Sequence, residues 1–428
     1  MFSEKVLRIL VEKKFTKTLF VKLPKKIPVF INNALSKAAI RFISRTTPIQ
    51  DDKIIFLTFR GSYDCNPKWI CEEIVRRDLP YQLVWAYRRK TVTGMEDFPD
   101  RLKQVRLGGL DFYKELSSAK LIVDNGVTTS VQSYKKKKGQ YLIETWHGSL
   151  GIKKPSHDAN KDKKWVKKAY REGEMTDYCI SNSAFESNEV YAVDYWKNTP
   201  VWLHGHARND ILCEGETQRV AEIRAKVRRI YELNEDDKIC LYAPTFRDDN
   251  DMKPYQLDYE TLIEALKNRF GGNWVILTRF HYRIYKELAK KNLMKGKKKE
   301  EGEEEEPIRI INATDYPDIQ ELALCTDVAI TDYSSWICEY MLMRKPGFLF
   351  ATDLGRYQTE NRPFFFPLTD MPFPVAKNIW ELLDNISAFD NEKYVKRCNE
   401  FLQEMGSVDD GHAAEKTVDE IVKLMGDK

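Results

Sequence analysis

Five short stretches of this chain gather side chains that can move a proton or grip an anion. In Glu144-Thr145-Trp146-His147-Gly148-Ser149-Leu150-Gly151, a histidine follows an apolar run and precedes a glycine. Imidazole titrates closest to neutrality of all side chains, so one exposed at a strand end can take a proton from a hydroxyl. Thr278-Arg279-Phe280-His281 closes another apolar run, where His281 could offset charge on a phosphoryl group in transfer. In Thr331-Asp332-Tyr333-Ser334-Ser335, two hydroxyls precede a helical pattern through Trp336, Glu339, Tyr340 and Met343. Free backbone N–H groups and the helix dipole favour an anion there, which suits a diphosphate. The same residues would also serve as an ordinary N-cap. In Tyr242-Ala243-Pro244-Thr245-Phe246-Arg247-Asp248, Pro244 stops a strand and leaves a hydroxyl and a guanidinium in the next loop. In His204-Gly205-His206-Ala207-Arg208-Asn209-Asp210, Arg208 can fork onto a phosphate or pair with Asp210 or another acid. The two histidines have no third ligand at metal spacing, so no metal is expected.

Each cluster follows an apolar run of strand type, and that is what must position it. The runs Ile54–Phe59, Gln82–Tyr87, Gln104–Leu107, Leu121–Asn125, Tyr141–Trp146, Tyr178–Ser181 and Val201–Leu203 alternate with amphipathic stretches at 67–77 and 110–119. After a charged helix near 216–231, a second series follows: Lys238–Ala243, Trp274–Thr278, Ile308–Ile311, Val328–Ile330 and Gly347–Phe350. Helical patterns fill 258–268, the stretch from Pro317, 378–388, 391–405 and 412–426. Alternation of this kind predicts parallel sheets covered on both faces. The fold class expected is α/β, with two Rossmann-like domains facing across a cleft in a glycosyltransferase-B-like arrangement. Ligands of open α/β sheets bind beyond the carboxyl ends of the strands, so facing halves would pool the five clusters. The expected divisions are a basic segment at 1–46, an N-terminal acceptor domain at 47–212, a C-terminal nucleotide-donor domain at 213–385, and helices at 386–428.

Composition narrows the class. The chain has 428 residues, 42% hydrophobic and 31% charged, with a net charge of +4. That suits globular domains and argues against nucleic-acid binding. Residues 1–46 hold eleven Lys or Arg against only Glu4 and Glu12. Mixed with VLRIL and TLFVKL, these lysines suit helices in an anionic membrane interface, or a helical hairpin packed on the body with a solvated basic face. The eight cysteines include no C-x-x-C pair and read as reduced thiols. No secretory signal and no spanning run of about 18 apolar residues is visible. Residues 295–306, KGKKKEEGEEEE, read as a solvated loop or a helix extension.

Taken in order, Trp146-His147-Gly148, Gly205 with Arg208-Asn209-Asp210, Ala243-Pro244-Thr245-Phe246-Arg247, Thr331 to Ser335, and Asp353-Leu354 with Tyr357 and Arg362-Pro363-Phe364-Phe365 resemble the CDP-glycerol glycerophosphotransferases of teichoic acid synthesis. The resemblance covers roughly 110–370. It implies transfer of glycerol phosphate from CDP-glycerol to a hydroxyl of a polyprenyl-diphosphate-linked glycan, with release of CMP, by a peripheral enzyme on the cytoplasmic face of the membrane. It implies no metal or cofactor. His147 matches the family's base and His281 a second histidine near the phosphates. Arg208, Thr245, Ser334 and Ser335 match positions that contact the donor, and Glu339 an acidic position that would hold ribose hydroxyls; Gly148, Pro244, Arg247 and Arg279, in the same motifs and strand-end loops, are further donor-binding candidates. The chain departs from the family pattern at Ser149-Leu150, Tyr282 and Glu339. CDP-ribitol, a nucleotide sugar on the same fold, and a catalytically dead membrane scaffold are the competing readings.

Overall fold

The computed structural model describes residues 4–11, 29–59, 61–88, 98–148, 150–154, 162–247, 251–281, 284, 287–288 and 308–426. The low-complexity stretch at 295–306 lies outside them. Two parallel sheets carry the fold. The first contains β1 (Gln50–Leu57), β2 (Gln82–Tyr87), β3 (Lys103–Arg106), β4 (Ala119–Asp124), β5 (Tyr141–Glu144), β6 (Tyr178–Ser181) and β7 (Val201–Leu203). Their order is β3-β2-β1-β4-β5-β6-β7. The second contains β8 (Asp237–Tyr242), β9 (Asn273–Thr278), β10 (Arg309–Asn312), β11 (Val328–Thr331), β12 (Gly347–Phe350) and β13 (Val375–Ala376), in the order β10-β9-β8-β11-β12-β13. Register follows burial: Phe56 lies between Trp85 and Val123, and Tyr242 between Ile330 and Thr278. Ile54–Leu57 and Ile239–Tyr242 are wholly buried, as unbroken apolar strands covered on both faces require.

In both sheets the strand order reverses beside the first strand, between β1 and β4 and between β8 and β11. A crevice opens at such a switch point beyond the carboxyl ends. The two halves face each other there, the glycosyltransferase-B-like arrangement expected from the sequence. Strand β1 stops at Leu57, two residues short of the predicted run, so Phe59 belongs to the loop above the sheet.

Connections between the halves are buried and charged. Lys68, on the helix Cys65–Arg76, donates to Asp318 at 2.8 Å and to Glu321 at 2.5 Å. Those carboxylates hold the ammonium well above its usual range, and Glu321 is pushed down to about 2, its Lys68 and Lys226 partners outweighing burial. The backbone of 152–154 pairs antiparallel with 363–365: Lys154 N–H donates to the Pro363 carbonyl at 3.0 Å and Phe365 N–H to that of Ile152 at 3.1 Å. The final helix, Ala413–Met425, returns to the first half and packs on the helix Cys65–Arg76. Arg77 Nη1 donates to Asp419 at 2.6 Å, and Asp210 accepts from the Ala413 and Ala414 N–H groups at 2.9 and 2.7 Å.

The N-terminal helices Glu4–Val11 and Val29–Thr46 also lie on the first half. Leu7, Val11, Ala39, Ile40 and Ile43 join Ile55, Leu57, Leu110 and Phe112 in one buried cluster. These apolar side chains are therefore spent on the body and are not available to lipid. Lys37, Arg41 and Arg45, four residues apart, remain exposed along one face.

Candidate active site

His147 stands three residues beyond β5, on a turn that is held from below. Thr145 N–H donates to the Asp124 carbonyl at 2.8 Å, and Trp146 N–H to Glu144 Oε1 at 2.8 Å. Trp146 adopts φ 51° and Val127, on the neighbouring loop after β4, φ 62°. The left-handed region is costly for a β-branched residue and persists only where the surroundings enforce it. Three buried carboxylates do so here. Asp124 accepts from Gly126 and Thr129 N–H groups at 3.1 and 2.8 Å, and Glu172 from Ser130 N–H at 2.7 Å. Glu144 completes the set. Burial raises all three, Glu144 and Glu172 well above their usual values, and repulsion by Asp124 adds to those two.

On this floor the imidazole is fixed. His147 Nδ1 lies 2.6 Å from the Asn125 carbonyl oxygen, which can only accept. Nδ1 therefore carries the hydrogen and Nε2 the lone pair, the tautomer a general base needs. Phe59 stacks on the ring at 4.4 Å between centroids and Trp146 tilts against it at 4.4 Å. Gly126 makes room for that stack, because a Cβ there would sit 2.7 Å from Phe59 Cβ and 3.6 Å from His147 Nδ1.

A cleft of about 750 Å³ lies between the halves, and His147, Arg208, Pro244, Thr245, Arg279, His281, Ser334, Ser335 and Glu339 all line it. That volume suits a nucleotide-sized ligand. Ser334 and Ser335 are half-buried ahead of the helix Trp336–Tyr340, and Ser335, at the N-cap position, makes no side-chain capping hydrogen bond. The capping alternative is thus not what the Ser335 hydroxyl does. Thr245 Oγ1 and Arg208 Nε are buried with no hydrogen-bond partner among the described residues. Buried polar atoms normally find partners, so these two mark a place for a ligand. His281 is exposed at the rim, its ring 4.4 Å from that of Phe246. Arg279 lines the cleft while donating to the carbonyls of Tyr316 and Pro317.

Arg208 does pair with an acid, but with Glu339 across the cleft and not with Asp210. Its other amino group reaches Cys65 Sγ at 3.0 Å. Glu339 also accepts from Gln320 Nε2, and burial pushes it up to about 7 against the pull of Arg208.

Two candidates lie elsewhere. Arg247 is 1% exposed and turned away from the cleft. It forks onto Asp353 at 2.7 and 3.1 Å, donates to Asp332 and the Thr245 carbonyl, and sits within 5.4 Å of the Tyr255, Tyr333 and Tyr357 rings. Assigning it to the donor is therefore corrected: its guanidinium is consumed in tying the loop after β8 to those after β11 and β12. Gly148 does not line the cleft either; a Cβ there would meet the Trp146 ring at 3.2 Å. The paired histidines diverge, His206 to Glu186 at 3.0 Å and His204 onto the Trp202 ring at 5.9 Å. Among the described residues no cluster of His, Cys, Asp and Glu could hold a metal.

The cleft also recruits Phe59, Asp64, Cys65, Arg88, Asp318 and Gln320, which sequence reasoning passed over. Phe59 and Arg88 follow the ends of β1 and β2, so the strand-end rule that found His147 would have found them too.

A family model of the CDP-glycerol:poly(glycerophosphate) glycerophosphotransferases matches residues 39–423. A teichoic acid glycerol-phosphate transferase of Staphylococcus aureus is 26% identical, with 86% of this chain and 92% of the relative covered. A teichoic acid poly(glycerol phosphate) polymerase of Staphylococcus epidermidis is 28% identical over 88% of this chain, which spans about half (51%) of that relative's length. A variant of the wall teichoic acid polymerase TagF soaked with CDPG superposes with a TM-score of 0.74 at 25% identity, covering 93% of this chain and 96% of the other. With a match that runs through both sheets and every cluster lining the cleft, the chain belongs to the CDP-glycerol:poly(glycerophosphate) glycerophosphotransferase family.

Proposed function

We propose that this protein transfers glycerol phosphate from CDP-glycerol to a hydroxyl of a lipid-linked glycan or teichoic acid acceptor at the cytoplasmic membrane face, releasing CMP. The observation that carries the reading is the convergence on one cleft of His147, with its basic Nε2, and of Ser334, Ser335 and Thr245 from the opposite half. In the proposed mechanism Nε2 of His147 takes the proton of the acceptor hydroxyl as its oxygen attacks the β-phosphorus. The bond from that phosphorus to the bridging oxygen breaks, and CMP leaves with the electron pair. Ser334, Ser335 and Thr245 hold the diphosphate oxygens, and His281 and Arg208 offset the charge that develops. Phosphoryl transfer is mainly positioning and electrostatics, so this inventory suffices without a covalent intermediate. Glu339 and Gln320, joined to each other, receive the ribose in this proposal.

No helix among the described residues is long and apolar enough to cross a membrane. Peripheral attachment is supported by the exposed Lys37, Arg41 and Arg45 stripe. The test is incubation with CDP-glycerol, CDP-ribitol and nucleotide sugars, with membranes as acceptor. CMP release specific to CDP-glycerol is expected. Release of a nucleotide only from a sugar donor would overturn the reading, and release only from CDP-ribitol would move it to that alcohol.

A further inference from the structure

Two residues other than glycine hold left-handed backbone side by side in the first half. Trp146, at φ 51°, precedes the base, and Cys65, at φ 63°, opens the helix Cys65–Arg76. Such strain persists only where neighbours enforce it, and it gathers at functional sites. The residue after Cys65 does the enforcing. Asn66 is 1% exposed and spends its whole amide on two loops of the cleft. Its Nδ2 donates to the Thr145 carbonyl at 2.8 Å and to the Trp146 carbonyl at 3.3 Å. Its Oδ1 accepts from the Arg208 N–H at 3.1 Å. A carbonyl only accepts and a backbone N–H only donates, so the amide has one orientation here.

These bonds fall where they steer the base. Glu144 Oε1 already holds the Trp146 N–H at 2.8 Å. Asn66 takes the carbonyl at the other end, and Cys65 Sγ lies 3.9 Å from the same oxygen. The strained residue is gripped at both ends, and the peptide that follows it carries His147. Arg208 is 142 positions away in sequence, yet its N–H meets this amide and its Nη1 the adjoining thiol at 3.0 Å. The helix is a firm mount, because Lys68, two residues on, is bound by Asp318 and Glu321 of the second half. In the proposed transfer, base and guanidinium serve one phosphorus. A misplacement of about 1 Å in such an arrangement costs on the order of 10²-fold in rate.

We infer that Asn66 is a positioning residue for this chemistry: its amide sets the peptide carrying His147 and the backbone of Arg208 in one register. The inference rests on the transfer reading above and adds a residue that reading does not use.

The experiment divides the amide into its two functions. Asn66→Asp keeps an oxygen for the Arg208 N–H but loses at least one N–H to the carbonyls of Thr145 and Trp146. With CDP-glycerol as donor, membranes as acceptor and CMP as readout, kcat is expected to fall about 10- to 100-fold with donor KM within about threefold. Asn66→Ala gives up both functions and should raise donor KM as well. Because Asn66 acts through the imidazole, Asn66→Asp should cost no more than about twofold in kcat when added to His147→Ala. An unchanged kcat in Asn66→Asp, or its full effect persisting in the His147→Ala background, would overturn the assignment. Heteronuclear NMR of the imidazole nitrogens reads the same role without turnover, the signal being assigned by its loss in His147→Ala. The wild-type ring should carry its hydrogen on Nδ1, and both Asn66 variants should show a mixture of tautomers as the bond to the Asn125 carbonyl loosens. If Asn66→Asp does not fold, Asn66→Ala carries this measurement. If no donor yields CMP, the transfer reading fails by itself and the ring signal decides: a mixture upholds the positioning role, and a signal identical to wild type removes it.

Discussion

Replacing Arg247 with alanine separates two roles that the sequence leaves indistinguishable. If the guanidinium held the donor, the variant would fold normally and bind CDP-glycerol poorly. In the structure it instead neutralises Asp332 and Asp353 inside the second half, with both partners buried or nearly so. Removing one member of a buried ion pair leaves an uncompensated charge and costs about 3–5 kcal/mol. For a unit of 150–250 residues, each kcal/mol lowers the midpoint of unfolding by roughly 2–4 °C. The expected loss in Tm for Arg247→Ala is therefore about 6–20 °C, read by calorimetry as a shift of the transition belonging to the second half. The sign of the pH dependence is a further check. In the wild-type protein Arg247 outweighs burial and keeps Asp353 below its usual value, so its contribution to stability is present at neutral pH and is lost only as pH falls through that depressed value. Without the guanidinium, burial favours the protonated acid. The variant should regain stability relative to wild type as pH is lowered from about 7 to 5, and adding Asp353→Asn should recover part of the loss at pH 7. A variant with wild-type Tm and a donor KM raised tenfold or more would refute the reasoning.

His147→Ala should lower turnover by about 10²–10⁴-fold, the usual contribution of a general base, and near-normal CMP release would remove it from the mechanism. Gly126→Ala should displace Phe59 and the imidazole, lowering kcat more than it raises donor KM, because the added Cβ falls 2.7 Å from Phe59 Cβ; an unchanged kcat would show that the stack does not orient the base. Ser335→Ala should leave Tm within a degree or two and raise donor KM several-fold, since no capping bond is lost. Because burial raises Glu339 to about 7, its contribution to stability is complete below about pH 4 and is lost as pH rises toward 7; Glu339→Gln should flatten unfolding free energy across that window. Reversing Lys37, Arg41 and Arg45 to glutamate should weaken binding to vesicles containing anionic lipid by about 10²-fold or more, at roughly 1 kcal/mol per charge near the surface; unchanged partitioning would place membrane attachment elsewhere.

Much of the architecture was readable from the chain because parallel strands buried on both faces leave unbroken apolar runs, such as Ile54–Leu57 and Ile239–Tyr242. Where each run stops, the loop over the sheet begins, so His147, Thr245, His281 and Ser334 could be placed in one cleft by the strand rule alone. What could not be read was pairing at long range. Arg247 meets acids 85 and 106 positions away, and Arg208 meets Glu339 at a separation of 131. Nothing in local pattern distinguishes a guanidinium aimed at phosphate from one aimed at a carboxylate, because both partners are flat anions. The helix Lys163–Gly173 was passed over because lysines dominate its sequence, although Trp165, Val166 and Ala169 fall at helical spacing on the one face that packs. The N-terminal helices mix isoleucine and lysine in a way that serves a lipid surface or a protein surface equally, and only the packing of Ile40 and Ile43 beneath the first sheet decides how those two are used.

The return of the last helix to the first half bears on how the chain matures during synthesis. Domains ordinarily fold as they leave the ribosome, front first. Here the helix Cys65–Arg76 must wait for Val418 and Ile421 to cover it, and Asp210 for the amides at 413 and 414, until that stretch has been synthesised. A chain lacking that helix exposes an apolar stripe on the first half and loses the clasp on Asp210, so the half that carries His147 takes its finished surface only once residues 413–425 are in place.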